Sequence, residues 1–269
     1  KNIIDFFYTF FKVLFWTKLK ENKKYLIVDA LKLSPVIGAF LACKIRRICI
    51  IAILTDMPGV TEKAKFKDTF KSRFKTFLVK SFLVNVDAYI LITKFMNDIV
   101  NPKNRPYLVM EGLVDFTMKE FDIVLSTHKN IVYTGGLFER YGIKKLITAF
   151  MMIEDKDLRL QFYGEGPMVK DILNYSKEDE RITYKGVVLN KDMVKRQVEA
   201  FLLVNPRPTN EELTRYSFPG KNMEYMVSGT PTLTTKLLGM PDDYLPFVFL
   251  IEDETIEGIK RSIEKVLLL

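Results

Sequence analysis

Asn205-Pro206-Arg207-Pro208, then Tyr216-Ser217-Phe218-Pro219-Gly220-Lys221-Asn222-Met223-Glu224-Tyr225-Met226, then Ser228-Gly229-Thr230-Pro231, is the stretch that decides the fold. The apolar run Ala200–Val204 precedes it and reads as a buried strand. A loop carrying Arg207 follows the strand. Ser217 can cap a helix whose first turn holds Pro219, Gly220 and Lys221. The free amides and positive end of such a helix suit a diphosphate, and Lys221 adds a cation there. Glu224 stands one turn further on. Its carboxylate can accept two hydrogen bonds from a vicinal diol, which is what a ribose presents. The same spacing also fits Glu224 as an ordinary solvated helix residue.

Working outward, two earlier segments share the strand–glycine–helix form. Tyr133-Thr134-Gly135-Gly136-Leu137 and Phe162-Tyr163-Gly164-Glu165-Gly166-Pro167 each end an apolar run and open a helical pattern. Paired glycines let a backbone turn tightly and let a phosphate approach the amides, although a plain turn needs them too. Strands are predicted at Asn130–Thr134, Leu158–Tyr163, Ile182–Tyr184, Ala200–Val204, Thr232–Thr234 and Phe247–Ile251. Between and after them the periodicity predicts helices over Glu139–Ile153, Pro167–Tyr175, Lys191–Glu199, Pro219–Ser228 and Thr255–Leu269.

The first part of the chain repeats the alternation less completely. Tyr25–Asp29, Ile48–Leu54, Ala88–Thr93 and Tyr107–Met110 read as strands, with helices over Pro35–Arg47 and Glu62–Asn85. Short continuous apolar runs separated by helices indicate buried parallel strands, hence a doubly wound α/β architecture. The pattern loosens over Met118–Lys129, so the expected domains are 1–118 and 119–269. The first opens on a helix, not on a glycine-rich strand and turn, and reads as an incomplete Rossmann-like domain.

The 269 residues, 48% of them hydrophobic and 28% charged, suffice for two domains with real cores and exclude a protein that is membrane-embedded throughout. Cys43 and Cys49 show no CxxC spacing and His128 is the one histidine, which argues against a Cys/His zinc site. Sparse cysteines fit a reducing compartment, so the expected location is cytoplasmic. Ile3–Leu19 is interrupted by Asp5, Lys12 and Lys18 and has no small-residue cleavage site. It reads as an amphipathic helix, packed on a sheet or lying on a membrane surface.

The formal net charge of +8 calls for an anionic partner. Much of that charge is concentrated in Glu62–Lys80, where seven basic residues face two acidic ones. There Phe66, Phe70, Phe74 and Phe77 recur at helical spacing beside Lys63, Lys67 and Lys71. The stripe fits a core-facing helix with a solvated lysine face, and equally an interfacial helix on anionic lipid at the inner face of the membrane. No nucleic-acid module accompanies the charge, so nucleic acid is not expected as a partner.

The run Tyr133–Thr235 resembles the donor domain of the family-four retaining glycosyltransferases, whose fold is GT-B: two Rossmann-like domains facing a cleft. The resemblance rests on Gly135-Gly136-Leu137, Gly164-Glu165-Gly166, Tyr184-Lys185-Gly186, the region Ser217–Glu224 and Ser228-Gly229-Thr230-Pro231, in that order. Tyr216–Met226 is most similar to subfamilies that build bacterial surface polysaccharide. Tyr25–Asp29, Ile53–Pro58 and Glu111–Asp115 resemble acceptor-side strands and the run into the linker. The resemblance implies sugar transfer with retention from a nucleotide-sugar, by expectation a UDP-sugar, to a glycan or lipid-linked acceptor. It implies no bound cofactor and no metal. Glu224 would bind the ribose, Ser217, Phe218, Pro219, Gly220 and Lys221 the phosphates, with Gly135, Gly136, Gly164 and Gly166 beside them, and Val187 and Val188 the base. Three departures stand out. Tyr216 occupies the place of a sugar-contacting Glu, while Gly136 and Tyr141 replace an Arg and a Lys that hold the diphosphate. Arg140, Lys144 and Arg207 are the substitutes on offer. The acceptor-side His falls near Thr55, with Asp56 beside it. Asp56, Tyr216 and Arg207 are therefore the catalytic candidates. The alternatives are a GT-B sugar-nucleotide epimerase and a non-catalytic nucleotide-sugar-binding remnant.

Overall fold

The computed structural model describes residues 2–16, 24–57, 70–114, 129–210 and 212–269. It divides into two compact units, Lys1–Glu111 with Arg215–Ser217, and Gly112–Thr214 with Phe218–Leu269. The boundary expected at 118/119 lies outside the described residues.

The first unit contains α1 (Asn2–Leu14), β1 (Tyr25–Asp29), α2 (Leu33–Arg46), β2 (Cys49–Leu54), α3 (Phe70–Leu83), β3 (Ala88–Leu91), α4 (Lys94–Val100) and β4 (Tyr107–Val109). Its four strands form one parallel sheet in the order β1-β2-β3-β4. Ile50, Ala52 and Leu54 of β2 pack with Val36, Ala39 and Cys43 of α2 and with Phe82 and Leu83 of α3. β1 lies at the edge and leaves Tyr25 and Ile27 exposed. Helix α1 lies against α2, and Gly38 permits it: a Cβ there would collide with the carbonyl of Phe6. The expected 62–85 helix is described over Phe70–Leu83 alone. Lys63, Phe66 and Lys67 lie outside the described residues, as does the side chain of Lys71.

The second unit contains β5 (Lys129–Thr134), a 3-10 turn (Glu139–Tyr141), α5 (Ile143–Met151), β6 (Leu158–Tyr163), α6 (Val169–Glu178), β7 (Ile182–Gly186), α7 (Asn190–Val198) and β8 (Leu202–Asn205). After α8 (Glu212–Arg215), which ends in the first unit, come α9 (Gly220–Ser228), β9 (Thr232–Thr235), a second 3-10 segment (Asp242–Phe247), β10 (Phe249–Ile251) and α10 (Ile256–Leu267). The six strands are parallel in the order β10-β9-β8-β5-β6-β7. Chain progression runs one way from β5 and the other way from β8. That reversal is the topological switch point at which open α/β sheets bind ligands, beyond the carboxyl ends of the strands.

Helices cover both faces of this sheet. Ile143, Leu146, Ile147 and Phe150 of α5 and Ile259, Ile263 and Val266 of α10 share one core with Ile131, Tyr133, Leu160 and Phe162. Tyr225 of α9 packs with Val132, Tyr163 and Leu203 in a smaller cluster. The sidedness follows from pattern: Ile259, Ile263 and Val266 recur at i, i+4 and i+7, and Thr255 caps that helix by accepting a hydrogen bond from the Gly258 amide.

Three expected boundaries shift for local reasons. The helix expected from Glu139 breaks into a 3-10 turn and α5, because Gly142 takes φ 80° and packs against the Pro206 carbonyl. Pro167 sits in a turn, and α6 starts at Val169. Ser217 does not cap α9. Pro219 holds the cap position in extended backbone and has no side-chain acceptor to offer.

Candidate donor site

The site is built at the switch point, from loops that follow β5, β6 and β8. After β5 the chain turns at Gly135, with φ 107°, and the Tyr133 hydroxyl donates to the Gly136 carbonyl at 2.9 Å, fixing the turn. Gly164 and Gly166 also have positive φ, and a Cβ on either would strike the backbone of Gly135 or Leu137. Their role in the fold is therefore to let the β6 loop close on the β5 loop, which the hydrogen bonds Gly135 N–H to Tyr163 O and Leu137 N–H to Glu165 O record.

α9 begins beside this loop. No side chain caps it; the Asn222 amide donates to the Pro219 carbonyl at 2.9 Å, and the amides of Gly220 and Lys221 at the helix start are the ones an external acceptor could meet. The Lys221 amine lies 3.8 Å from the centroid of the Tyr133 ring. A Cβ on Gly135 would come within 3.2 Å of that amine, so the absence of a side chain at 135 is what makes room for it. Lys221 keeps some surface, but its amine end is enclosed by protein. That enclosure and the like charge of Arg207 push its pKa down to about 7, against the opposing pull of Glu224.

A buried polar network anchors the start of α9. Asn205 of β8 donates to the Asn222 side-chain oxygen at 2.7 Å, Asn222 donates to the Thr234 hydroxyl at 3.2 Å, and that hydroxyl donates back to the Asn205 carbonyl. Thr235 donates to the Arg207 carbonyl at 2.5 Å. The loop carrying Arg207 is held further by Glu254, whose carboxylate accepts from the Thr209 amide and hydroxyl.

The cations gather around an unexpected ring. Arg207 lies 4.9 Å and Arg140 5.2 Å from the centroid of Tyr141, the position where a lysine was expected from the resemblance. Arg207 is largely buried. Lys144 lies exposed on α5 and is not part of this group. Phe218 is buried and stacks on Tyr244 at 5.5 Å, so it holds the loop before α9. Val188 packs on the Tyr225 cluster, and Val187 is exposed beside it.

Of the remaining candidates, Asp56, Tyr216 and Ser217 belong to the first unit. Asp56 follows β2 and accepts from the Met57 amide. Tyr216 is packed in the first unit's core, where an aromatic ring serves and a carboxylate would not. The described residues contain no cluster of three or more His, Cys, Asp or Glu suited to a metal.

Sequence reasoning missed Asn205, Asn222, Thr234 and Gln197. Gln197 of α7 is fully buried, and its amide nitrogen lies 3.4 Å from a Glu224 carboxylate oxygen and 3.5 Å from the Thr134 hydroxyl. Thr134 is in turn held by the Tyr225 hydroxyl at 2.8–3.0 Å.

A glycine turn, an uncapped helix start with a lysine, and a carboxylate one turn on are thus grouped at a switch point. The profile of the family described as Glycosyl transferases group 1 matches residues 128–268, more than half of the chain and all of the described donor site. The chain belongs to the group 1 glycosyl transferases.

Solved structures agree on the fold, which is GT-B. The sucrose-phosphate synthase of Thermosynechococcus elongatus is 15% identical, with a TM-score of 0.66 over 93% of this chain and 65% of that one. S. aureus TarM, solved with UDP, is 16% identical, with a TM-score of 0.64 over 96% and 51%. Anabaena HepE, solved with UDP-glucose, is 12% identical, with a TM-score of 0.60 over 91% and 74%. The chain thus spans only 65% and 51% of the first two. Comparison with curated protein sequences finds no match.

Proposed function

We propose that this group 1 glycosyl transferase moves a sugar from a UDP-sugar to a glycan or lipid-linked acceptor in surface polysaccharide assembly, with retention of anomeric configuration. The observation that carries the donor half of this reading is the start of α9: uncapped amides, Lys221 and Arg207 face one loop, and Glu224 follows within a turn. The diphosphate would lie on those amides with its charge met by Lys221 and Arg207, and the ribose diol would meet Glu224. Sugar transfer breaks the bond between the anomeric carbon and the diphosphate. Charge then builds on the departing phosphate oxygen, where prepositioned amides and cations stabilise the transition state more than the ground state. This set supplies the counter-charge itself, so the reading calls for no resident metal. UDP is favoured over other nucleotides because TarM and HepE were solved with UDP and UDP-glucose. Retention and the polysaccharide role follow from the sequence resemblance.

The membrane is the proposed place of work. Phe70, Phe74 and Phe77 of α3 are 87%, 53% and 63% exposed, flanked by exposed Arg73, Lys75 and Lys80, with no acidic residue on the helix. The outer face of α1 adds exposed Ile3, Ile4, Phe7, Tyr8 and Phe11, and a groove lined by Phe7, Phe74 and Leu78 joins the two helices. Exposed aromatics beside basic side chains suit the headgroup level of an anionic leaflet. No helix among the described residues is long and apolar enough to cross a membrane.

Incubation with UDP-sugars labelled in the sugar tests the proposal. Label passing to a polymer or lipid fraction with release of UDP supports it. Label remaining on nucleotide as an epimer, or no turnover in the presence of tight UDP binding, overturns it in favour of an epimerase or a binding protein.

A further inference from the structure

We infer that Gln197 is a positioning residue that sets the rotamer of Glu224 and so makes the donor site select ribose over deoxyribose; this rests on the ribose reading of Glu224. Gln197 sits in the last turn of α7, with Val194 and Val198 buried on the same helix, at a point where an apolar side chain would satisfy the core. Instead it carries an amide whose oxygen has no hydrogen-bond partner, which is rare in a fully buried side chain. The amide nitrogen is aimed between two acceptors, the Glu224 carboxylate at 3.4 Å and the Thr134 hydroxyl at 3.5 Å. Among the described residues it is the one hydrogen-bond partner of that carboxylate.

Its own placement is over-determined. Thr230, from the Ser-Gly-Thr-Pro loop, donates its hydroxyl to the Gln197 carbonyl at 2.8 Å, which ties the end of α7 to the loop that follows α9. Thr134, the other acceptor, is fixed by the Tyr225 hydroxyl one residue beyond Glu224 on α9. The side chain therefore connects the end of β5, the end of α7 and the middle of α9. A donor engaged on one carboxylate oxygen stops rotation and leaves the other oxygen to accept from the ribose. A freely rotating carboxylate would present itself to the diol only part of the time.

The experiment is calorimetric titration of the full chain with UDP and with 2′-deoxy-UDP, for the wild type and for Gln197→Met, which keeps length and volume but removes the donor. The wild type is expected to prefer UDP by about tenfold or more, as for a hydrogen bond to a charged group. Gln197→Met is expected to bind UDP more weakly, to bind 2′-deoxy-UDP as the wild type does, and to keep at most about a twofold preference. A merely structural role would weaken both ligands alike. Equal weakening, or an undiminished preference, overturns the inference alone. A wild type that binds UDP without preference, or does not bind it, overturns the ribose reading as well. If Gln197→Met fails to fold, Gln197→Glu decides: two facing carboxylates must share a proton, so its UDP affinity should rise between pH 8 and pH 5.5 relative to the wild type. An affinity that tracks the wild type across that range counts against the inference.

Discussion

Raising the pH above neutrality should weaken UDP binding through Lys221. Its pKa of about 7 reflects an amine enclosed by protein next to Arg207, with only Glu224 opposing. Tyr133, whose ring lies against the amine, is pushed up by burial and stays neutral throughout this range. UDP keeps its full charge above pH 7, since phosphate loses its second proton at about pH 6. The diphosphate is held by the ammonium form. About half of the free protein carries that form at pH 7 and about 1% at pH 9, so the UDP Kd should rise by about 50-fold across the interval, or about 2.3 kcal/mol. At pH 8 binding should take up about 0.9 proton per UDP, read from titrations in two buffers of different ionisation enthalpy. Lys221→Met should bind weakly and show neither effect. A wild-type Kd constant within about twofold from pH 7 to pH 9, with no proton uptake, would refute the reasoning.

The same shift has a stability consequence of defined sign. In the unfolded chain a lysine titrates near 10.4 and here near 7, so between those values the unfolded state binds more protons and apo-protein stability rises with pH. Lys221→Met should raise apo stability below pH 7, as thermal melts would show, although it weakens donor binding.

Other consequences follow from single contacts. Asn222→Leu leaves Asn205 and Thr234 without their buried partner and should cost about 1–3 kcal/mol in urea unfolding. Gly164→Ala places a Cβ into the Gly135 carbonyl at a positive φ, so it should destabilise the second unit and weaken UDP binding together; an unchanged melt and Kd would show the loop can yield. The triple change of Phe70, Phe74 and Phe77 to Ser should abolish co-sedimentation with phosphatidylglycerol vesicles while leaving UDP affinity intact. Equal sedimentation of wild type and variant would remove α3 from the membrane account.

The second unit was readable in the sequence because four of its six strands run into Gly135, Gly164, Gly186 or Pro206, and its α9 segment puts a cation and a carboxylate at fixed spacing. Local punctuation was read less well. Ser217 looked like a cap by residue type, but Pro219 takes the cap position, and Gly142 splits what periodicity reads as one helix. The supporting polar residues were invisible for a different reason. Asn205, Asn222, Thr234 and Gln197 are separated by up to 37 positions, and their partnership exists only once β8, β9, α7 and α9 are packed. The phenylalanine stripe of α3 shows the limit of periodicity itself. Spacing places Phe70, Phe74 and Phe77 on one face, but only the packing of Val79, Phe82 and Leu83 decides that the stripe points outward.

Calorimetric titration of the wild type and Glu224→Ala with UDP, GDP and ADP tests the donor site most directly. The account predicts one site that prefers UDP, with Glu224→Ala weaker by about tenfold or more from loss of a charge-assisted contact. No binding by any of the three, or a Glu224→Ala affinity equal to that of the wild type, would contradict it.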